Sequence, residues 1–491
     1  MVATAPVSVR SASLSPLTAW LLASGAKMDG VAVKWLGDSM GAGLIATRDL
    51  SPGTDVCAVP RSLLLSCTSG LSDPVLGSLL EDLQFELEDE ANLYDASQGT
   101  ISLQLLYAAA CVQRGEETRW APYIPALPTH VDTPALWTRA ERNALLAGTS
   151  LLADTRELRG DMANEYRRIR RALRQSGRAE WLTRLGLDAS AAPCPLSGRW
   201  TPAVERWTLA QSLVRSRAYV VPDDGEDDHG ALDELAGDEM IMSPLIDLAN
   251  HDSALPIGVG WGDGVGAPAD NLLLRTGQAI SAGSPVLTTY GNFSVIGSML
   301  AFGFSTPDQH NTLTCRLTVD PTDLHAEQKR AVLDAAGVLR HAGHVSFELP
   351  SRPPEVSGEL LQTLRLLALP PSDAQRLLDG ARPLPDEEHG GFGEPPILSS
   401  TGEDIWEALA AAGPIEIERA AYAKMLRVCR TMGRALRDGS AAMEASAEAP
   451  ERLVSAAATA RAAEADALQV LVATARREAR MLPRPAGMGM P

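Results

Sequence analysis

Pro244-Leu245-Ile246-Asp247-Leu248-Ala249-Asn250-His251-Asp252 gathers four polar side chains, Asp247, Asn250, His251 and Asp252, inside an apolar context that runs from Ile241 to Leu255. On its own the stretch reads as a capped turn with a satisfied histidine. A metal site built from Asp247, His251 and Asp252 is the alternative. Catalytic metals usually take three convergent protein ligands. The other histidines are scattered, with no HxH or HExxH.

β character surrounds this stretch. Glycines punctuate Gly258 to Gly266, and Asn271 to Leu274 and Pro285 to Tyr290 read as strands. Tyr290-Gly291 stands at the end of the last one, and Gly291-Asn292-Phe293-Ser294 falls short of a nucleophile elbow. On the N-terminal side, residues 223–239 hold nine acids and no Lys or Arg. A solvated loop and a substrate-reading acidic patch are the two readings of that run. Before it, residues 75–215 have helical periodicity, with apolar residues at three-to-four spacing in Ile101–Gln113, Leu151–Ser176 and Val204–Ala218. Residues 31–66 read as strands, at Val31–Leu36, Gly41–Thr47, Val56–Val59 and Ser62–Leu65, divided by turns such as Ser51-Pro52-Gly53. Beyond about residue 320 the chain reads as helical again, with Ala-rich amphipathic stretches at 404–437 and 452–481 and loops at 349–356 and 381–399.

Gly41-Ala42-Gly43-Leu44-Ile45-Ala46 spells a nominal dinucleotide fingerprint. Such a site needs a helix to begin there, so that a pyrophosphate meets its N-terminus. Thr47 to Gly53 instead makes a turn, which excludes the Rossmann reading. The glycines still permit a close backbone approach, either to a ligand or to another strand.

The 491 residues allow about three domains, or one large domain with a helical partner. Hydrophobic residues at 45% and charged residues at 21% place the chain among globular proteins and exclude wholesale disorder, collagen and coiled coil. The 43 Lys and Arg against 62 Asp and Glu leave a net charge of −19, which argues against a general nucleic-acid binder. The longest obvious apolar run, Leu105–Val112, is far too short to cross a bilayer, so no membrane partner is expected. Cysteines 57, 67, 111, 194, 315 and 429 form no CxxC, which points to reduced thiols in an intracellular protein and away from structural zinc. The segment before Asp29 lacks acids, as a transit peptide does, but Leu17–Ala26 has the look of a folded helix. Cytoplasm and plastid both stay open.

The order of the motifs carries more than any one of them. Gly41 to Leu50 followed by Val59-Pro60-Arg61-Ser62-Leu63-Leu64 resembles the opening of a SET domain. Trp120-Ala121-Pro122-Tyr123-Ile124-Pro125-Ala126-Leu127-Pro128, Trp137 and Leu145–Leu151 resemble segments of one subclass. Ser216-Arg217-Ala218-Tyr219, the Pro244–His251 stretch, Tyr290-Gly291 and Phe302-Gly303-Phe304 then follow in that subclass's order. The whole is similar to SET-domain protein methyltransferases of the Rubisco large-subunit methyltransferase type, a subclass that also includes a histidine methyltransferase of actin. The resemblance covers about residues 15–310; the C-terminal part matches that subclass in length and helical character only.

The resemblance implies an α+β protein in which a β-rich SET fold is split by a helical insertion and followed by an all-α C-terminal substrate-binding domain. Its limits would be 15–310 for the SET domain (31–70, the insertion at 75–215, and 216–310) and 311–491 for the helical domain. It implies S-adenosyl-L-methionine as cofactor, a non-histone protein as substrate, a lysine as acceptor and a monomeric enzyme. Histidine methylation and a non-catalytic SET scaffold are the alternatives. By the resemblance, Gly43, Thr54, Asp55, Val56, Arg217, Asp247, Asn250 and His251 line the cofactor pocket, Asp247 and Phe302 meet the substrate, and Tyr290 is catalytic. Those residue types suit such a cofactor, since an arginine fork takes a carboxylate and an asparagine amide both donates and accepts. Two departures stand out. Phe302 occupies a position where lysine-methylating members often have tyrosine, and Phe293-Ser294-Val295 replaces a usually basic stretch.

Overall fold

In the computed structural model of the protein, the described residues are 7–37, 40–87, 95–222, 238–256, 258–262, 270–306, 309–340, 343–351, 356–370, 406, 409, 415–444 and 449–483. Helix α1 spans Val7–Ala23 and is followed by strands β1 (Lys27–Met28), β2 (Val31–Trp35), β3 (Ala42–Ala46), β4 (Asp55–Pro60) and β5 (Leu65–Ser66). Helices α2 (Cys67–Leu71), α3 (Gly77–Leu87), α4 (Asp95–Arg114), α5 (Arg139–Leu145), α6 (Ser150–Gln175), α7 (Trp181–Arg184) and α8 (Ala203–Arg215) come next. The chain then returns to strands: β6 (Ala218–Pro222), β7 (Asp238–Met242), β8 (Asn250–His251), β9 (Val259–Trp261), β10 (Asn271–Arg275) and β11 (Pro285–Thr288). After α9 (Val295–Phe302) come β12 (Thr312–Thr318), α10 (Ala326–Ala335), β13 (His344–Pro350), α11 (Gly358–Ala368), α12 (Ile415–Glu444) and α13 (Glu451–Met481).

Two units result, and they do not follow a single cut in the chain. The first comprises Met1–Trp137, Thr155–Phe293 and Gly297–Gln309; the second comprises Thr138–Asp154, Ser294–Ile296 and His310–Pro491. Thr138–Asp154, drawn from within the expected helical insertion, thus belongs with the C-terminal half.

The first unit holds three small sheets, ordered β1-β4-β10-β9, β2-β3-β11-β8 and β5-β7-β6. Pairing in the second of these is antiparallel except between β11 and β8. β11 is the strand that matters for the site. It pairs Pro285 with Ile45 and Val286 with Leu44 on one edge, and Leu287 with Asn250 and Thr288 with His251 on the other. Gly43 is the next position along the first register, so Gly43 and Asn250 flank Leu287 in one row. The core mixes strand residues such as Leu44, Val56 and Leu272 with helical ones such as Leu105, Ile169 and Trp207.

Several expectations are corrected. Ser62–Leu65 does not form a strand as a whole: Arg61–Leu63 is a 3-10 turn and the strand is Leu65–Ser66. Residues 223–237 of the acidic run lie outside the described residues. At its end β7 pairs with β6, and Glu239 binds Arg61 at 2.7 Å. The second unit is helical, as expected of the C-terminal domain, with one addition that an all-α reading leaves out. β12 and β13 form an antiparallel pair from Thr312↔Pro350 to Thr318↔His344. Leu349 and Pro350, expected in a loop, end that pair. The loop expected at 381–399 lies outside the described residues. No helix among the described residues is long and apolar enough to cross a membrane.

Candidate active site

The polar stretch Pro244–Asp252 forms a 3-10 turn, Ile246–Leu248, which runs directly into β8. Asp247 points inward from the turn, and its side chain has no exposed surface. It does not stand alone: the Tyr123 hydroxyl donates to Oδ2 at 2.6 Å, Arg217 Nη1 donates to the same oxygen at 3.2 Å, and the Leu245 N–H donates to Oδ1 at 3.2 Å. Arg217 Nη1 also donates to the Asp247 carbonyl at 3.0 Å. Burial raises the Asp247 carboxyl above the ordinary carboxylate range, with Arg217 and Tyr123 pulling against it. Burial works against the Arg217 charge, but Asp247, Tyr123 and Tyr290 together outweigh it and hold the guanidinium above its usual value.

One residue past the turn, the Ala249 carbonyl accepts from the Tyr290 hydroxyl at 3.0 Å. The Tyr290 N–H in turn donates to His251 Nδ1 at 3.1 Å, and the two rings stack with centroids 5.0 Å apart. Desolvation pushes the Tyr290 phenol up to about 12 despite the pull of Arg217. It is therefore a protonated hydrogen-bond donor at neutral pH. Phe302 packs against Tyr290 at 5.0 Å, with Phe293 at 5.0 Å from Phe302. Phe304 completes this aromatic wall, 5.9 Å from Phe302 and 6.4 Å from Tyr290.

Gly43 faces the other end of the same row. A Cβ built there would lie 2.4 Å from Leu36 Cδ1 and 2.8 Å from Asn250 Nδ2. Any larger residue there would have to displace the Leu36 or Asn250 side chain. Asn250 Nδ2 is buried without a hydrogen-bond partner, and so is Arg217 Nε. Buried amide and guanidinium donors left in this state are costly inside a fold.

Thus Gly43, Arg217, Asp247, Asn250, His251, Tyr290 and Phe302 come together. Thr54, Asp55 and Val56 do not join their hydrogen bonding. Thr54 exchanges bonds with Thr276 and Ser51, Asp55 pairs with Arg275 at 2.7 Å, and Val56 lies in the core from the other sheet. The Asp247 carboxylate is likewise committed to Tyr123 and Arg217 rather than offered to a ligand. The metal alternative gains no support: among the described residues no three His, Cys, Asp or Glu side chains gather as a metal would need.

Sequence reading assigned no role to Tyr123, Tyr219, Phe293 or Phe304. Tyr219 donates to the Ile246 carbonyl at 3.4 Å, and burial together with Tyr290 and Asp247 holds its phenol well above the usual value. The signal for Tyr123 was present, since a buried tyrosine hydroxyl needs a partner. The partner lies 124 residues away, out of reach of any local pattern.

No family model matches the chain. The actin-histidine N-methyltransferase of Gallus gallus is 25% identical over 396 residues, covering 80% of this chain and 59% of that protein. The Danio rerio protein of the same name is 25% identical over 373 residues, covering 76% and 55%. The chain therefore spans less than three fifths of the length of these curated relatives. Among solved structures, the SET domain of LSMT bound to lysine and AdoHcy matches with a TM-score of 0.68 at 19% identity, over 96% of this chain and 92% of that one. Rubisco LSMT bound to AdoMet matches with a TM-score of 0.66 at 18% identity, over 98% and 93%. The chain has the fold of the SET-domain structures of the Rubisco large-subunit methyltransferase type.

Proposed function

We propose that this chain is an S-adenosylmethionine-dependent protein N-methyltransferase that modifies a lysine of a non-histone protein. The observation that carries the reading is the unpartnered, buried Asn250 Nδ2 set against Gly43, with the spare Nε of Arg217 in the same cluster. One end of the ligand would be an amino acid and the other an adenine, and these donors suit both its carboxylate and its acceptor nitrogens. When bound, S-adenosylmethionine supplies a methyl group already activated on a sulfonium. The structures of similar fold bound to AdoMet, or to AdoHcy and lysine, support this choice of ligand and acceptor.

The residues around Tyr290 define what the protein itself contributes. The wall of Phe293, Phe302 and Phe304 is apolar, and an apolar channel disfavours the ammonium form of an entering lysine, whose reference pKa is ~10.4. Tyr290, held protonated, orients an amine lone pair better than it removes a proton. Positioning for in-line attack is then the main contribution.

A second reading, histidine as acceptor, draws on the name of the relatives from Gallus gallus and Danio rerio. A neutral imidazole also needs no deprotonation before attack. Incubation of the protein with methyl-labelled S-adenosylmethionine and a proteome depleted of methylation, followed by acid hydrolysis, distinguishes the two. Labelled methyl-lysine is expected. Methyl-histidine alone replaces the first reading with the second, and no transfer to any acceptor leaves the fold as a binding scaffold.

A further inference from the structure

We propose that Tyr123 is a positioning residue of this site, its phenol holding the Asp247 carboxylate in the place from which Asp247 fixes both Arg217 and the turn that delivers Asn250. The proposal deepens the methyltransferase reading and rests on it.

Tyr123 is completely buried and sits just before a short 3-10 turn, Ile124–Ala126. Its ring could have satisfied packing alone; a phenylalanine would have served the core equally. The hydroxyl instead makes the shortest bond to Asp247, at 2.6 Å. That carboxylate has three donors, one from each of three chain segments: Tyr123, Arg217 and the Leu245 N–H. Charge-assisted bonds of this kind are about twice as strong as neutral ones. Leu245 immediately precedes the 3-10 turn, and the Asp247 side chain closes the turn back onto the Leu245 N–H. The exit of the same turn presents the Ala249 carbonyl to Tyr290 and carries Asn250 into β8. Tyr123 touches none of the groups assigned to the ligand. It acts through Asp247, and Asp247 acts on both sides of the pocket at once.

Removing the phenol leaves a buried carboxylate with one donor fewer. Among the described residues, Arg217 favours the carboxylate, while Tyr123, Tyr219 and Tyr290, which interact with it, are neutral phenols near pH 7. Burial already disfavours its charge. Without Tyr123 the carboxylate takes up a proton at higher pH than before, and the protonated group no longer pairs with Arg217.

The test is the affinity for S-adenosylhomocysteine, measured by calorimetry on the full chain from pH 5 to 8. The wild-type protein is expected to lose affinity as pH falls. In Tyr123→Phe the same loss is expected to set in at higher pH, so that binding is weaker than wild type at the acid end of the range and approaches it at the alkaline end. In methylation assays KM for S-adenosylmethionine should then change more than kcat. A purely structural tyrosine would lower thermal stability without moving the pH profile, and superimposable profiles for Tyr123→Phe and wild type overturn the proposal. Should Tyr123→Phe not fold, Asp247→Asn provides the same decision: a flat profile over this range supports the proposal, and a persisting acid limb overturns it. Wild-type protein that binds no S-adenosylhomocysteine at any pH overturns the methyltransferase reading, and this inference with it.

Discussion

Individual side chains in the site have their chemistry set by what surrounds them, and Tyr290 is the clearest case. Its hydroxyl reaches the Ala249 carbonyl and lies within the aromatic wall, and desolvation holds it protonated. Tyr290→Phe keeps the ring and its packing and removes one donor. Turnover should drop by about 100-fold, in the range typical of a positioned acid–base or orienting group. Affinity for S-adenosylhomocysteine should stay within about threefold of wild type, since Asn250 and Arg217 are untouched. Steady-state kinetics beside calorimetry check this, and unaltered turnover removes Tyr290 from the chemistry. Much of this constellation was legible in the sequence, because Arg217, Asp247, Asn250, His251 and Tyr290 stand in motifs whose order is distinctive. The sheet that Thr54, Asp55 and Val56 enter was not. They follow Gly41–Gly43 closely in sequence, but β3 pairs with β2 and β11 whereas β4 pairs with β1 and β10. A short loop between them carries the chain from one sheet to the other. Tyr123 was hidden for a different reason: its role exists only through a contact across the fold.

Among the helices and strands, the start of α6 shows how a helix end is satisfied from afar. Glu464, on α13, accepts from the Ser150 N–H at 2.8 Å, the Leu151 N–H at 3.0 Å and the Ser150 hydroxyl at 3.0 Å. The two N–H groups are backbone donors that an α-helix leaves unpaired at its first turn. Burial nevertheless raises this carboxyl from 4.5 to about 7, with the three bonds pulling it down and nearby Asp154 adding to the rise. The folded form therefore holds its proton more tightly than the unfolded chain does between those two values. Its contribution is fully present below pH 4.5 and is lost as pH rises through 7, by roughly 3 kcal/mol. Glu464→Gln lacks this titration. The stability of wild type relative to Glu464→Gln should fall by about that amount between pH 4.5 and 8, as measured by urea unfolding followed by circular dichroism. A difference that stays constant with pH would show that the carboxyl titrates normally. The helix itself was readable from the apolar spacing of Leu151–Ser176, because periodicity is local; its cap, supplied 314 residues later, was not. The β12–β13 pair is an instructive miss. Leu313, Cys315 and Leu317 alternate with polar residues and face inward, which is a strand pattern. The helical character on both sides of it obscured seven residues of alternation.

Across the full chain, the two units differ in what they hold, and this makes ligand binding separately observable. Gly43, Tyr123, Arg217, Asp247, Asn250, His251, Tyr290 and Phe302 all belong to the first unit. So do eight of the nine tryptophans, Trp406 being the exception. Trp207 and Trp181 sit in its core, and Trp261 lies on β9 under the Arg61 guanidinium. Tryptophan emission thus reports mainly the unit that carries the site. Far-ultraviolet circular dichroism, by contrast, also weighs the long helices α12 and α13 of the second unit. S-adenosylhomocysteine at 100 times its dissociation constant adds about 2.7 kcal/mol to whatever folded state binds it. For a unit of this size that is an upward shift of about 5 °C. The midpoint of the fluorescence-detected thermal transition should rise by that amount. If the two units unfold together, the dichroism midpoint rises in step with it. If they unfold separately, the dichroism curve splits, and only the component that coincides with the fluorescence moves. A fluorescence midpoint that does not move at saturating ligand would mean that the buried donors of Asn250 and Arg217 serve some other ligand, and the assignment of S-adenosylmethionine to this pocket would fall.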